Sequence, residues 1–336
     1  MLEEVLATAR FNPKIDPVLS IWDWRIAVYL FLGGITAGIM CFSAWAVLTN
    51  KEQQAPFSYW RLSLWGPILL SLGMTTLFLD LDHKLYVFRF YTTFRPDSPM
   101  SYGAWILIFV YPAAIALILA TLRHGYPLFA SWVERLPVGS SLLGRLMDWA
   151  ERYRRPIAAW NIPFGIALGI YTGILLSGFM ARPFWNSAIL GLLFLVSGLS
   201  TAAALVVVAA REPTERHTFT RVDVGLILTE LAIVALLLIS LATGARMQQE
   251  ALATLFGGDN TIAFWLWFVA LGLVIPLMLE AWELRGGRVR WALLAPVLVL
   301  AGGYILRRVA LDIGLEVNWT YFATQFDPAL LQRLHP

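Results

Sequence analysis

The chain has 336 residues, with 25 Lys and Arg against 22 Asp and Glu for a net charge of +3. It is 59% hydrophobic and 14% charged, with a mean hydropathy of +0.68, values outside the soluble globular range that point to an integral membrane protein. The small basic excess serves membrane topology rather than nucleic acid, and the lone cysteine, Cys41, excludes a disulfide framework and a thiolate metal site.

Residues 1–21 carry Glu3 and Glu4 and no long apolar core, so they read as an extracytoplasmic segment without a cleavable signal peptide. Eight apolar runs follow, at Trp24–Leu48, Leu62–Leu81, Tyr102–Leu122, Ile157–Met180, Trp185–Ala210, Val222–Thr243, Ile262–Trp282 and Trp291–Leu311. Each has about 20 residues or more, enough to cross a ~30 Å hydrocarbon core as a helix. None alternates strictly, which excludes a barrel. The expected fold class is an all-α integral membrane protein of eight transmembrane helices, arranged as two four-helix bundles. Residues 22–122 then hold the first three helices and 157–311 the last five, with a connection at 123–156 and a tail at 312–336.

The odd-numbered connections collect 14 of the 25 Lys and Arg, six of them between Arg123 and Arg155. The bias puts those connections in the cytoplasm and both termini outside a bacterial inner membrane. Within 123–156, the stretch Ser140–Tyr153 sets Leu142, Leu143, Leu146 and Met147 against Arg145, Asp148, Glu151 and Arg152. That pattern suits an interfacial amphipathic helix, and a surface linker between the two halves of the chain fits it as well.

No histidine falls in mid-membrane: His83, His124, His217 and His335 all lie at helix ends or in connections. A membrane haem needs axial ligands and an iron–sulfur cluster needs several thiolates, so the expectation is no haem, no iron–sulfur cluster and no metal site in this chain. Electrons, if handled, would travel on a diffusible organic carrier.

Polar residues accumulate at one depth, on the expected outer side. Helix 1 begins with Trp22, Asp23, Trp24 and Arg25, and Tyr29 lies one turn deeper on the Arg25 face. Helix 2 arrives at Asp80, Asp82, His83 and Lys84, and helix 4 climbs past Tyr171 to Arg182. Each has a bland reading: the tryptophans as an interfacial belt, Arg25 as a snorkelling cation, Asp80 with Lys84 as an ion pair. Together they suit a quinone, whose oxygens need donors and acceptors and whose ring needs an apolar slot. Deeper in helix 6, Glu230 and Asp223 lie on nearly one face, and a mid-membrane carboxylate suggests proton conduction or an interhelical hydrogen bond. Arg307, Arg308 and Asp312 in helix 8 read as one ion-pair cluster, and Glu280 and Glu283 as partners of Arg285 or Arg288 or, alternatively, as a proton entrance.

Three stretches carry a resemblance: Trp22 to Gly38 (WDWRIAVYLFLGGITAG), Phe78 to Leu107 (FLDLDHKLYVFRFYTTFRPDSPMSYGAWIL) and Tyr171 to Ala204 (YTGILLSGFMARPFWNSAILGLLFLVSGLSTAAA). They look like the membrane subunit of polysulfide reductase and its NrfD-type relatives. The resemblance implies a cofactor-free helical bundle that binds menaquinone or ubiquinone near the outer surface. Its implied partners are a four-cluster iron–sulfur subunit and a molybdopterin catalytic subunit. Matched position by position, it implies quinone contacts at Arg25, Tyr29 and Tyr171, and catalytic proton exchange at Asp80 or Asp82 with His83. Asp223 and Glu230 resemble the family's sixth helix. The chain departs from the polysulfide reductase pattern on helix 1, where Arg25 and Tyr29 stand in place of an amide and an imidazole. The rival readings are a proton-coupled transporter or channel built on the same carboxylates, for which no inverted repeat is visible, and a passive anchor with no quinone site.

Overall fold

The computed structural model describes residues 22–81, 83–134, 140–179, 182–286 and 293–317. Among them it is helical throughout, with no strand. Eight helices are long and apolar enough to cross a membrane: α1 (Trp24–Leu48), α2 (Leu62–Asp80), α3 (Pro99–Gly125), α4 (Arg154–Ser177), α5 (Ala188–Ala209), α6 (Pro213–Thr243), α7 (Ala263–Leu284) and α8 (Leu294–Glu316). The chain is an all-α, multi-pass membrane protein.

α1 and α5 form the centre. α1 packs on α2, α4, α5 and α8, and α5 on α1, α4, α6 and α8. Small residues explain the placement, because lipid is as apolar as leucine and gives no reward for burying large side chains. Gly198 of α5 sits against Gly34 of α1 so closely that a β-carbon there would come within 2.6 Å of the Gly34 carbonyl oxygen. Accordingly 72% of the apolar window of both helices is buried, against 28% for α2. Polar groups stitch neighbouring helices together: Thr36 Oγ1 of α1 donates to the Gly66 carbonyl of α2 (3.2 Å), Asn161 Nδ2 of α4 to the Ala113 carbonyl of α3 (2.9 Å), and the Ser63 and Thr121 hydroxyls of α2 and α3 share a bond of 2.9 Å.

Three local features depart from simple apolar runs. α6 begins at Pro213, well before the apolar stretch at Val222. Its first turn carries Glu215, fully buried, whose carboxylate accepts the Phe57 and Ser58 amides at 3.0 and 2.7 Å. Those amides open the short helix Pro56–Trp60, where a carboxylate satisfies bare N–H groups and opposes the helix dipole. α7 winds with i→i−5 hydrogen bonds over Ala263–Val274 and reverts to α geometry at Ile275, beside Pro276, which lacks an N–H. In the α3–α4 connection, Ser140–Arg152 is helical, and Met147 and Ala150 are buried while Leu142, Leu146 and Trp149 stay exposed. Arg123 fastens this connection through Glu134 (2.9 Å), Asp148 (2.6 Å) and Glu151 (3.5 Å).

Candidate functional site

At the end of the bundle where α1 begins and α2 stops, four helices enclose a cavity of about 160 Å³. Each helix delivers its part through ordinary local rules. Asp23 caps α1 by accepting the Arg25 amide at 2.8 Å, which orients the first turn. The Arg25 guanidinium lies 3.5 Å from Asp23 and 3.8 Å from Asp80, the last residue of α2, whose carboxyl is largely buried. One turn below, Tyr29 is 4% exposed and faces the cavity. Tyr171 of α4, 5% exposed, enters from the opposite wall. Its ring occupies the space where any β-carbon at Gly103 of α3 would stand, so that glycine is what admits the ring.

Most of the remaining wall is apolar, including Ile26 and Leu30 from α1, Met74 and Leu77 from α2, Leu107 from α3 and Leu176 from α4. Neither the Tyr29 nor the Tyr171 hydroxyl has a hydrogen-bond partner among the described residues. Both residues line the cavity, where a bound molecule with a carbonyl or hydroxyl oxygen can accept from their hydroxyls.

Sequence reasoning missed two members. Tyr91, on the short helix Arg89–Thr92, lines the cavity as a third phenol. Burial, with Tyr111 adding to it, pushes that phenol above its ordinary pKa. Nothing in a connection without periodicity marks such a residue. Trp22, read as a belt residue, instead lines the cavity and packs on Phe179 and Trp185 at 5.3 and 5.5 Å between rings. Trp185 is no belt residue either: it is fully buried, and its indole N–H donates to the Ala310 carbonyl at 2.7 Å. Trp24, by contrast, is exposed.

Of the expected site residues, Tyr29, Asp80 and Tyr171 meet in the cavity, and Arg25 stands behind Asp80. His83 does not join them. It is exposed and lines a neighbouring depression that shares Leu81, Phe90 and Met100 with the cavity. Asp82 lies outside the described residues.

Asp223 and Glu230 belong to a second, deeper arrangement. With Ile227 they form the buried face of α6. Ser200 Oγ of α5 donates to Asp223 at 2.6 Å, and Glu280 of α7 lies beside Asp223. Glu280 is therefore turned inward, 2% exposed, rather than outward to Arg285. Glu230 lies against Ser197 and Arg307.

Arg307 corrects the expected cluster on α8. Arg308 does pair with Asp312 at 2.9 Å, but Arg307 is fully buried between α1, α5 and α8. Its guanidinium donates to the carbonyls of Leu30 (3.3 Å), Gly303 (2.6 Å) and Phe194 (3.1 Å) and to Ser197 Oγ (3.1 Å). Successive helical residues point about 100° apart, so neighbours in sequence face lipid headgroups and protein core respectively. The interior thus carries two polar groups about one turn apart on α5, Glu280–Asp223–Ser200 and Glu230–Ser197–Arg307, the second reaching the carbonyl of Leu30, a residue of the cavity wall.

Residues 13–317 match the family model described as polysulphide reductase, NrfD. Protein NrfD of Escherichia coli is 31% identical over 309 residues, 88% of this chain and 95% of that protein. The C polypeptide of the Wolinella succinogenes polysulfide reductase is 26% identical over 88% of this chain and 94% of its own length. The C component of the selenate reductase of Mesobacillus selenatarsenatis is 21% identical over 77% of this chain and 66% of its own length.

Proposed function

This chain belongs to the polysulphide reductase NrfD family, and we propose that it is the quinone-reactive membrane subunit of a bacterial respiratory oxidoreductase. In that reading it exchanges electrons between menaquinone or ubiquinone and an extracytoplasmic iron–sulfur subunit with four clusters, which in turn serves a molybdopterin catalytic subunit. The names of two similar proteins, one a component of polysulfide reductase and one of selenate reductase, support a place in a multi-subunit reductase.

The carrying observation is the pair of buried, unpartnered phenols, Tyr29 and Tyr171, facing one apolar cavity beside the Arg25–Asp80 contact. The set fits a quinone head group. A quinol, when bound, supplies two electrons and two protons. Tyr29 and Tyr171 would donate hydrogen bonds to its ring oxygens and fix the ring between them. Asp80, 3.8 Å from the Arg25 guanidinium, would take a proton from the ring hydroxyl. His83, with Asp82, would pass that proton outward through the neighbouring depression. The two polar groups, Glu230 with Arg307 and Asp223 with Glu280, support a route for protons across the membrane.

Tyr171→Phe tests this reading. Quinol-linked turnover of the complex should fall about five- to tenfold, the worth of one hydrogen bond, while activity with an artificial dye that bypasses the membrane subunit stays intact. Unchanged quinol turnover would remove Tyr171 from the site, and purified complex that carries no extractable quinone would remove the site itself.

A further inference from the structure

The α2–α3 connection builds a second depression, of about 530 Å³, walled by His83, Arg89, Thr93, Arg95, Ser98 and Ser101. Among the described residues no carboxylate lines it, Asp97 included. The Arg89 guanidinium rests on the Tyr86 ring, 4.5 Å from its centroid. The Arg95 amide donates to Ser101 Oγ at 3.0 Å, which ties the loop to the first turn of α3. Neither guanidinium makes a salt bridge among the described residues. A guanidinium stacked on Tyr86, a second on a loop anchored by its backbone, and hydroxyls in the same wall suit a phosphate group.

The surroundings say which phosphate. The depression lies where α2 stops at Asp80 and α3 starts at Pro99, the depth of the headgroups for helices that span a bilayer. Around it the same connection exposes large apolar side chains: Leu85 is 88% exposed, Phe88 55% and Phe94 53%. A free phosphate has no use for such a rim, whereas the combination of cations and exposed aromatics is how proteins grip an anionic membrane surface.

We propose that this depression binds the phosphodiester headgroup of an anionic phospholipid, with the acyl chains over the Leu85, Phe88 and Phe94 rim. Leu81, Phe90 and Met100 wall both this depression and the inner cavity, so the lipid stands at the doorway between them. Control of quinone entry by that lipid rests on the quinone reading above; the lipid site itself does not.

The test is native mass spectrometry of the purified complex in detergent, titrated with phosphatidylglycerol or phosphatidylcholine. One phosphatidylglycerol should bind in preference to phosphatidylcholine. Arg89→Gln with Arg95→Gln should weaken it about thirtyfold, Arg89→Lys with Arg95→Lys should retain it, and Lys51→Gln at the far end should leave it unchanged. Equal phosphatidylglycerol affinity in the double Gln variant overturns the proposal. So does displacement by an equimolar amount of inorganic phosphate, which would make this a free-phosphate site. Loss of the co-purifying iron–sulfur subunit with lipid binding unchanged would make it a protein-docking face instead and overturn the proposal too. Lipid binding is read without turnover, so a purified complex that carries no extractable quinone would sink the quinone reading and leave this one standing.

Discussion

The two polar regions of this protein are built on opposite plans. Around Tyr29 and Tyr171, polar groups are few and set in apolar walls, and the two phenol hydroxyls face a cavity rather than a protein acceptor. Around Arg307, polar groups are many and buried: its guanidinium is answered across α1, α5 and α8, while the carboxyls of Asp223, Glu230 and Glu280 each keep an oxygen with no donor among the described residues. A hydroxyl that faces a cavity is open to a ligand; a guanidinium with four acceptors is already satisfied and holds helices together. The first plan suits a binding site, the second a frame that holds charged groups in an apolar medium.

The sharpest way to break the comparison is to remove the centre of the frame. Arg307→Met leaves Glu230 without its counter-charge and three carbonyls without their donor. It should cost about 3–5 kcal/mol, read as a fall in unfolding temperature in nanodiscs. Adding Glu230→Gln should recover part of that loss; a fully additive double variant would deny the coupling. Next comes the cavity: Gly103→Val drives the Tyr171 ring from its place and should lower quinol turnover about a hundredfold with little change in stability. Were the unfolding temperature to collapse instead, the cavity would be a structural element like the frame.

Smaller effects refine the picture. Glu215→Ala strips two amides of their acceptor and should cost about 1–2 kcal/mol without touching turnover. Tyr91 gives the smallest effect. Its phenol is held above the ordinary tyrosine value, so the folded state keeps a proton that the unfolded chain releases at about pH 10. The stability from this group is present below that pH and lost as pH rises through the higher folded value. Tyr91→Phe should flatten the alkaline fall in unfolding temperature.

Much of this was legible in the residues. Apolar run length gives the eight spans, since hydrocarbon thickness fixes how many residues a crossing needs. Depth is legible too: Arg25, Tyr29, Asp80 and Tyr171 fall at one level because each sits a known number of turns from a helix end. Direction around the helix axis is not. Arg307 and Arg308 share a depth, yet one joins the core and the other pairs with Asp312 at the edge. Without a hydrophobic stripe to mark the buried side, as in water, only the small residues of α1 and α5 point inward, and their signal is weak. Tyr91 and Trp22 escaped for a different reason, lying in segments with no helical period to assign a face.

The bond from Glu215 to the Phe57 and Ser58 amides joins residues 158 and 157 positions apart in the chain. A ribosome feeds helices into the bilayer in order, so the hairpin of α1 and α2 enters with those two amides bare. The acceptor arrives only when α6 emerges. The first hairpin therefore completes its fold after most of the chain has been made, and a nascent polypeptide halted before Pro213 leaves that turn open to proteolysis.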